Sequence, residues 1–371
     1  MGKIRVLVVD DAVVFRRLVA NELASDPAIE VVGTAANGHI ALQMIRQVSP
    51  EVVILDVEMP QLDGLATLAE LRKSHLRLPV IMFSALTERG AAATLDALAL
   101  GATDYFTKPA AGGLDASLEV IRDQLIPKIK ALCARPSVGW QGSASSEQTQ
   151  NDLTCEYRLR TPATGVPPPR RGTRPGPVRV LAIGASTGGP NALADVFRCL
   201  PADFPVPIVI VQHMPPMFTR LLADRLAAEF PIRVQEGSSG TMLQPGHALI
   251  APGDYHMIVV RDGLQVRTVL HQDPPENSCR PAVDVLLRSV ARAFAANSLT
   301  VILTGMGQDG MRGCEAIYEA GGQILVQDEA TSVVWGMPGH VARAGLADRV
   351  LPLSLIGDEI LRRVHQEGWN S

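Results

Sequence analysis

Ser186 lies in the segment GASTG, residues 184–188, between an apolar run and a helical pattern. A Gly-x-Ser-x-Gly segment between a strand and a helix is typical of a nucleophile elbow, because its glycines permit a tight turn that exposes the serine. The N-terminus of the following helix also offers N–H groups without partners. Turns of this kind bind phosphates as well, but this one lacks the G-x-G-x-x-G and P-loop spacings of nucleotide sites. The segment therefore favours a nucleophilic serine.

A nucleophilic serine needs a neighbouring base, and that base needs an orienting acid. His213 ends the apolar run VPIVIVQ, and Asp309 follows the run LTVILTG. Because the carboxyl ends of parallel strands meet at one edge of a sheet, we expect Ser186, His213 and Asp309 to lie together. Asp309 is also compatible with a simple helix N-cap. The other candidate bases that stay open are His256, His271 and His340.

A second group of polar residues follows the apolar runs of the N-terminal third. Asp10 and Asp11 come after the first run, Asp56 after the third, Ser84 after the fourth and Lys108 after the fifth. Three converging carboxylates repel one another, and a hard cation such as Mg²⁺ relieves that repulsion. The cation would polarise an incoming phosphoryl group and leave one carboxylate as the nucleophile. The alternative is a set of solvated acids that share no site.

The elements that must position these residues are short apolar runs alternating with helical patterns. In the helices, apolar residues recur at three- and four-residue spacing, as at Leu65, Leu68 and Leu71. Apolar strands separated by helices predict α/β domains with parallel sheets covered on both faces. The predicted strands are IRVLVVD, EVVGTAA, EVVILD, PVIMFSA and TDYFTKP, then VRVLAIG, VPIVIVQ, LTVILTG and GQILVQD. A β-rich insert with HALIAP, HMIVV and LQVRTVL is predicted before LTVILTG.

One stretch separates the two sets of strands. Residues 134–177 lack apolar periodicity and contain seven prolines and six arginines against three acids. Such a stretch buries too little apolar surface to offset its ordering entropy, so we predict a flexible linker. A long structured loop is the alternative. The chain then divides into a first α/β domain over residues 1–133 and a second, doubly wound and mostly parallel, over residues 178–371.

Composition excludes several classes of protein. The chain has 371 residues, 47% hydrophobic and 19% charged, which excludes overall disorder. Its 34 Lys and Arg against 38 Asp and Glu give a net charge of −4, which argues against a nucleic-acid-binding protein. Without a membrane-spanning run or a signal-peptide pattern, we expect a cytoplasmic protein that inserts into no membrane. The scattered cysteines argue against a disulfide frame or a zinc site; they are Cys133, Cys155, Cys199, Cys279 and Cys314.

The motifs VVDD, LDVEMPQLDG and FTKP make residues 3–128 resemble the receiver domains of two-component response regulators. The resemblance implies a five-stranded parallel sheet in the order 2-1-3-4-5 and a histidine kinase as phosphodonor. Asp56 would be the phosphoacceptor. The Mg²⁺ ligands that it implies are Asp10, Asp11, Asp56 and the backbone carbonyl of Glu58. The switch residues that it implies are Ser84 and Tyr105, together with Lys108, which would contact the phosphoryl oxygens.

The motifs GASTGGP, VQHMP and LTGMGQDG make residues 178–366 resemble the catalytic domain of the chemotaxis methylesterase CheB. The order Ser, His, Asp excludes the α/β-hydrolase fold, in which the acid precedes the histidine. The resemblance implies a protein-glutamate methylesterase that also deamidates glutamine, acting on methyl-accepting chemotaxis receptors. It also implies an oxyanion hole formed by the backbone N–H groups of Thr187 and Met306. We expect no cofactor at this site.

A receiver joined to an esterase suggests regulation by phosphorylation. We expect the unphosphorylated receiver to pack over the catalytic edge and the phosphorylated receiver, through Ser84 and Tyr105, to alter that contact. A monomer suffices for this arrangement. Two alternatives stay open: the same chemistry outside chemotaxis, and a response regulator whose second half binds partners without catalysis. The second half shows no helix-turn-helix pattern, so a DNA-binding output is disfavoured.

Overall fold

A computed structural model of the chain describes residues 2–108, 114–134 and 176–365. Within these ranges the chain forms two parallel sheets, and the helices cover both faces of each. Nearly all of the predicted linker and the C-terminal residues 366–371 lie outside the described residues. Gly176, near the end of the predicted linker, already pairs with the second domain, since its N–H donates to the carbonyl of Ala296 at 3.2 Å.

The first sheet has five parallel strands in the order β2-β1-β3-β4-β5, as predicted. Its central strands β1, β3 and β4 are almost wholly buried, because helices cover both of their faces. Its strands are β1 (Ile4–Val9), β2 (Ile29–Ala35), β3 (Val52–Asp56), β4 (Val80–Ser84) and β5 (Asp104–Thr107).

The helices of the first domain begin mostly at side-chain caps. Asn37, Asp63 and Thr87 each accept a hydrogen bond from the backbone N–H three residues later, which satisfies an otherwise unpaired donor. The last helix runs from Leu114 to Cys133 through one π-helical turn. The helices are α1 (Val13–Ala24), α2 (Gly38–Val48), α3 (Gly64–Ser74), α4 (Glu88–Ala99), α5 (Leu114–Val120) and α6 (Ile126–Cys133), with the π-turn Ile121–Leu125 between the last two.

The second sheet has seven strands, all parallel, in the order β14-β13-β12-β6-β7-β9-β8. The chain starts at β6 in the middle and adds strands on both sides, which gives the doubly wound topology. A separate antiparallel hairpin, β10 with β11, packs beside it. The strands are β6 (Val180–Ala185), β7 (Ile208–Gln212), β8 (Arg233–Glu236), β9 (His247–Ile250), β10 (His256–Asp262), β11 (Gln265–His271), β12 (Ser298–Ile302), β13 (Gln323–Gln327) and β14 (Arg349–Leu351).

The helices of the second domain cover both faces of this sheet. Helix α9 and the hairpin pack on one face, and α7, α8 and α12 lie on the other. The helices are α7 (Gly189–Cys199), α8 (Phe218–Glu229), α9 (Val283–Phe294), α10 (Met311–Glu319), α11 (Met337–Arg343) and α12 (Leu353–His365), with a 3₁₀ turn at Ala295–Asn297. No helix of the described ranges is both long and apolar enough to cross a membrane.

The predicted insert is smaller than its sequence suggests. HALI forms β9 in the main sheet, where it is buried beside β7, and only the β10–β11 hairpin stands apart. Two edge strands, β8 and β14, were not predicted. They have four and three residues, and each has a single buried side chain, so their apolar pattern is too short to be recognised in the sequence.

The two domains meet through α4 and β5 of the first and α7 and α8 of the second. At the centre, the Tyr105 ring stacks on Phe218, the first residue of α8, with centroids 5.0 Å apart and planes 11° from parallel. Polar contacts surround this pair. They join Asn191 Nδ2 to the Leu98 carbonyl (2.9 Å), Arg220 to Glu88 (2.6 Å) and Arg225 to Asp96 (3.2 Å).

Candidate functional sites at the two sheet edges

Ser186 lies in the turn that joins β6 to α7. Its own N–H donates to the Thr304 carbonyl at 3.0 Å, which ties the turn to the neighbouring strand end. Gly188 has a φ of +76°, and a Cβ there would also collide with Val333. A Cβ on Gly305 would lie 2.8 Å from the Ser186 Cβ. Gly188 thus permits the tight turn that the Gly-x-Ser-x-Gly pattern predicted, and Gly305 lets the neighbouring loop approach the serine closely.

His213 follows β7 and meets Asp309, as predicted. Its Nε2 lies 2.7 Å from Asp309 Oδ2, and its side chain is 12% exposed. Burial lowers the pKa of this imidazole, but the bond to Asp309 and the contact with Cys279 outweigh burial and raise it. The Nε2 contact assigns the proton between the two residues to that nitrogen, and the other ring nitrogen, Nδ1, faces Cys279 Sγ at 3.6 Å.

Asp309 is held by an unusual number of donors for a buried carboxylate. Besides His213, it accepts from the backbone N–H groups of Val283 (2.6 Å), Asp284 (3.0 Å) and Gly310 (3.0 Å). Asn277 Nδ2 donates to it at 3.0 Å. Burial raises the pKa of a carboxyl group, but the bonds from His213 and the backbone hold the pKa of Asp309 below its usual value. Asp309 is therefore more than a local N-cap.

The other three candidate bases have other roles. His256 is buried between two backbone partners, since Nδ1 accepts from the N–H of Ala282 (3.2 Å) and Nε2 faces the carbonyl of Pro274 (3.2 Å). His271 pairs with exposed Asp273. His340 faces the carbonyl of Gly336 one turn before it in α11. Among the four candidate histidines, it is His213 that contacts Asp309.

The two backbone groups predicted as oxyanion donors lie beside the serine. Thr187 directly follows Ser186, and Met306 follows Gly305, which packs against the serine. Among the hydrogen bonds of the described ranges, none uses the N–H of Thr187 or of Met306. Thr304 holds both segments, because its hydroxyl donates to the Thr187 carbonyl at 3.0 Å and contacts the Val334 carbonyl.

Residues 305–310, between β12 and α10, have the G-x-G-x-x-G spacing of nucleotide sites. The serine turn lacks this spacing. The sequence of residues 305–310 is GMGQDG, and Asp309 is its fifth residue. A buried carboxylate at this point repels a phosphate, and the Cβ position of Gly305 is filled by Ser186 and Met337. This stretch therefore belongs to the serine site.

At the edge of the first sheet, the predicted acidic group comes together. Carboxylate oxygens of Asp10, Asp11 and Asp56 all lie within 4.8 Å of one another. Lys108 Nζ reaches two of them, at 2.7 Å from Asp56 and 2.9 Å from Asp10. Burial and, to a smaller extent, the charge of Asp10 raise the pKa of Asp56, which is about 6 despite the bond from Lys108. Three carboxylates facing a single lysine carry excess negative charge, and their oxygens are the ligands that Mg²⁺ prefers.

Of the remaining predicted receiver residues, Glu58 contacts this group, Ser84 lies at the end of the neighbouring strand and Tyr105 lies elsewhere. The backbone N–H of Glu58 hydrogen-bonds the Asp56 carboxylate. Ser84 is fully buried at the end of β4, and its hydroxyl donates to the carbonyl of Ala85 at 3.2 Å. Tyr105 lies away from the acids, at the contact with Phe218. Its buried hydroxyl has a pKa well above the usual value because burial disfavours the phenolate.

Three residues at the serine site were not predicted. Asn277 contacts Asp309, Asp284 lies beside it, and Cys279 Sγ is 3.6 Å from His213 Nδ1. Asn277 precedes Asp309 by 32 positions, in a loop before α9. The sequence around it has no periodicity or spacing that indicates chemistry, so only the folded loop reveals these contacts.

Comparison with known proteins decides the family. The family model of CheB methylesterase matches residues 181–360, and that of the response regulator receiver domain matches residues 6–117. A protein-glutamate methylesterase/protein-glutamine glutaminase from Trichodesmium erythraeum is 52% identical over 365 residues, which cover 98% of this chain and all of the relative. The chain belongs to the CheB methylesterase family. It is accordingly an enzyme, a hydrolase with a receiver domain, and the alternative of a noncatalytic binding module is wrong.

Further proteins are similar to this chain. The protein of the same name from Nocardioides is 50% identical over 368 residues, which cover 99% of this chain and 97% of the relative. The crystal structure of the Thermotoga maritima CheB methylesterase catalytic domain is 40% identical, with a TM-score of 0.49. The match covers 50% of this chain and 98% of the Thermotoga maritima domain.

Proposed function

We propose that this CheB-family protein hydrolyses glutamyl methyl esters, and deamidates glutamines, on methyl-accepting chemotaxis receptors. The single observation that carries the proposal is the pair of His213 and Asp309, 2.7 Å apart, near the turn that holds the half-buried Ser186. The relatives are named for both reactions on protein side chains, which supports the substrate class.

In the proposed reaction, Ser186 Oγ attacks the γ-carbonyl carbon of the glutamyl ester. His213 Nδ1 accepts the hydroxyl proton, and Asp309 stabilises the imidazolium through Nε2. The N–H groups of Thr187 and Met306 donate to the oxygen that becomes negative. Collapse of the intermediate expels methanol, which takes the proton from His213, and leaves a glutamyl ester on Ser186.

Deacylation repeats these steps with water. His213 removes a proton from water, the hydroxide attacks the acyl carbon, and the Ser186 oxygen leaves with that proton. The product is a free glutamate carboxylate. A glutamine side chain follows the same course, except that ammonia is the first leaving group. These steps need no metal ion, because His213 and Asp309 supply the base and the N–H groups supply the electrostatic stabilisation.

The direct test is methanol release from receptor membranes that carry labelled methyl esters. Ser186→Ala should lower release by about 10⁴-fold or more, as loss of a serine nucleophile does. Ser354→Ala is the matched control, because Ser354 is exposed on α12. Release that persists in Ser186→Ala would reject the assignment of the nucleophile, and no release from the unaltered protein would reject the substrate.

We further propose that phosphorylation of Asp56 by a histidine kinase regulates this activity. The oxygens of Asp10, Asp11 and Asp56, with the Glu58 carbonyl, would hold Mg²⁺, which neutralises charge on the phosphoryl group when it is bound. In the transfer step, an Asp56 carboxylate oxygen attacks phosphorus, the phosphorus–nitrogen bond of the kinase's phosphohistidine breaks, and the imidazole leaves. Lys108 pairs with the transferred oxygens. Ser84, at the end of the neighbouring strand, donates its hydroxyl to one of them.

The contact between Tyr105 and Phe218 supports coupling of this event to the esterase. Phe218 begins α8 only five residues after His213, and Asn191 of α7 is bonded to α4 of the receiver. The receiver therefore packs against the two helices that follow the candidate catalytic turns. Methanol release with and without a small phosphodonor and Mg²⁺ tests the coupling, and an unchanged rate in a protein that is demonstrably phosphorylated would reject it.

A further inference from the structure

Helices α9 and α10 cap each other through two buried aspartates. Asp309, just before α10, accepts from the first N–H groups of α9, those of Val283 and Asp284. Asp284, in the first turn of α9, accepts from the N–H of Gly313 in the first turn of α10, at 2.7 Å. The residues at the two N-cap positions, Ala282 and Gly310, supply no side-chain cap. Each helix start therefore depends on an aspartate at or just before the start of the other helix.

This mutual capping places two negatively charged carboxylates, those of Asp284 and Asp309, next to each other inside the protein. Asp284 is 1% exposed, and burial together with the charge of Asp309 raises its pKa to about 6. Two such groups repel unless a donor lies between them. Their arrangement therefore needs a bridge.

Asn277 is that bridge. Its Nδ2 donates to Asp284 Oδ2 at 2.9 Å and to Asp309 Oδ1 at 3.0 Å, so one amide group uses both of its hydrogens. Asn277 is exposed and has a φ of +53°, in the left-handed region that asparagine tolerates. Its loop is anchored from behind, because Glu276 pairs with Arg288 of α9 at 2.7 Å.

We propose that Asn277 and Asp284 are positioning residues of the esterase site, which fix the Asp309 carboxylate in the rotation that presents Oδ2 to His213. Oδ1 is held by Asn277 and two backbone groups, so the plane of the carboxylate cannot turn without breaking those bonds. Asp284 in turn holds the second hydrogen of Asn277. This inference rests on the proposed function.

The chain offers a matched pair of variants. Asn277→Gly removes the amide but keeps a residue that accepts a positive φ, so the loop backbone is not strained. Ser278 is the next residue, is also exposed and has a φ of +61°. Ser278→Gly therefore changes the same loop in the same way without touching a carboxylate. Asp284→Asn keeps the acceptor for Gly313 but turns an NH₂ group towards that of Asn277.

The experiment measures kcat and KM for methanol release by these variants, alone and combined with Asp309→Asn. We expect Asn277→Gly to lower kcat about tenfold with KM within about twofold, and Asp284→Asn to act similarly. Ser278→Gly should behave as the unaltered protein. In the Asp309→Asn background the effect of Asn277→Gly should shrink to less than about twofold, because its target is already lost.

Two results would overturn the inference: equal kcat for Asn277→Gly and Ser278→Gly, or an undiminished effect of Asn277→Gly in the Asp309→Asn background. The low-field proton resonance of His213 Nε2–H gives a readout independent of turnover. It should shift in Asn277→Gly and stay in place in Ser278→Gly. An unaltered protein that releases no methanol would reject the proposed function instead, and the resonance would still test the positioning.

Discussion

Two aspartates, one in each domain, lie at the carboxyl edges of the two sheets and are almost fully buried, yet their pKa values are shifted in opposite directions. Asp56 is 3% exposed and Asp309 is 2% exposed. The pKa of Asp56 is raised to about 6, whereas that of Asp309 is lowered. Burial raises the pKa of both carboxyl groups, so the neighbouring groups decide the direction of the net shift.

The difference lies in how each negative charge is compensated. Asp309 has fixed backbone donors and one histidine, and it shares the amide of Asn277 with Asp284. Asp56 shares one lysine with Asp10 and has one backbone donor from Glu58. A carboxylate that only orients a base is held in place best when fixed hydrogen-bond donors occupy all of its oxygen lone pairs. A carboxylate that is to react, and to bind a metal, needs oxygens that remain available.

The largest expected effect is catalytic. Asp309→Asn should lower kcat for methanol release by about 10³- to 10⁴-fold, because the amide can no longer stabilise the imidazolium of His213 or select its tautomer. Steady-state kinetics on methylated receptor membranes measure this. A loss of less than about tenfold would show that the Asp309 carboxylate is not needed, and the contrast with Asp56 would lose its functional meaning.

The same substitution at the two aspartates should change stability with opposite sign. Asp56 has a folded pKa above the unfolded one, so its ionisation costs stability as the pH rises from about 4 to about 6. At pH 7 without Mg²⁺, Asp56→Asn should raise the free energy of unfolding of the first domain by about 1–3 kcal/mol. Asp309→Asn should lower that of the second domain by about 1–3 kcal/mol, since an NH₂ group then faces donors.

Hydrogen exchange of backbone amides in β3 and β12 measures the two domains separately. The gain for Asp56→Asn should vanish below pH 4, where the carboxyl is protonated in both the folded and the unfolded state. Destabilisation by both substitutions at pH 7 would contradict the comparison.

Metal binding should follow the titration of Asp56. A carboxylate must lose its proton to bind Mg²⁺, so affinity should fall about tenfold between pH 7 and pH 5. Isothermal titration calorimetry at the two pH values measures this, with Asp56→Asn as the control that binds weakly at both. An affinity independent of pH would place the Mg²⁺ ligands elsewhere.

The smallest effect concerns the contact between the domains. Glu88→Gln removes the ion pair with Arg220. The side chain of Glu88 is 68% exposed and that of Arg220 is 52% exposed, and exposed ion pairs contribute little to stability. We expect methanol release without phosphodonor to rise about twofold at low salt, because the receiver is held less firmly, and the rise to vanish in about 0.5 M salt. Glu70→Gln, which removes the pair with Lys73 on α3, is the control. An equal rise in both variants would exclude the contact as the cause.

Sequence patterns were sufficient to predict the location of a residue where its position along a strand decides its position in the fold. The motif around Ser186, the residue after β7 and the acids after β1 and β3 could be assigned to sheet edges, because parallel strands all end at one edge. The short edge strands β8 and β14 could not, since each offers only one buried side chain. His213 could not be separated from His256 by sequence either, because the fold places the Asp309 carboxylate at one ring and two backbone groups at the other.

The sequence by itself determined which residue types stand at the carboxyl ends of the strands. These residues define the two candidate sites and the family that their motifs resemble. Only the tertiary structure decided how each buried charge is compensated. The bridge from Asn277 to Asp284 and Asp309, the mutual capping of α9 and α10, and the stacking of Tyr105 on Phe218 join residues far apart in the chain. Such contacts depend on the distance and direction between packed elements, and the spacing of residues along the chain does not encode these.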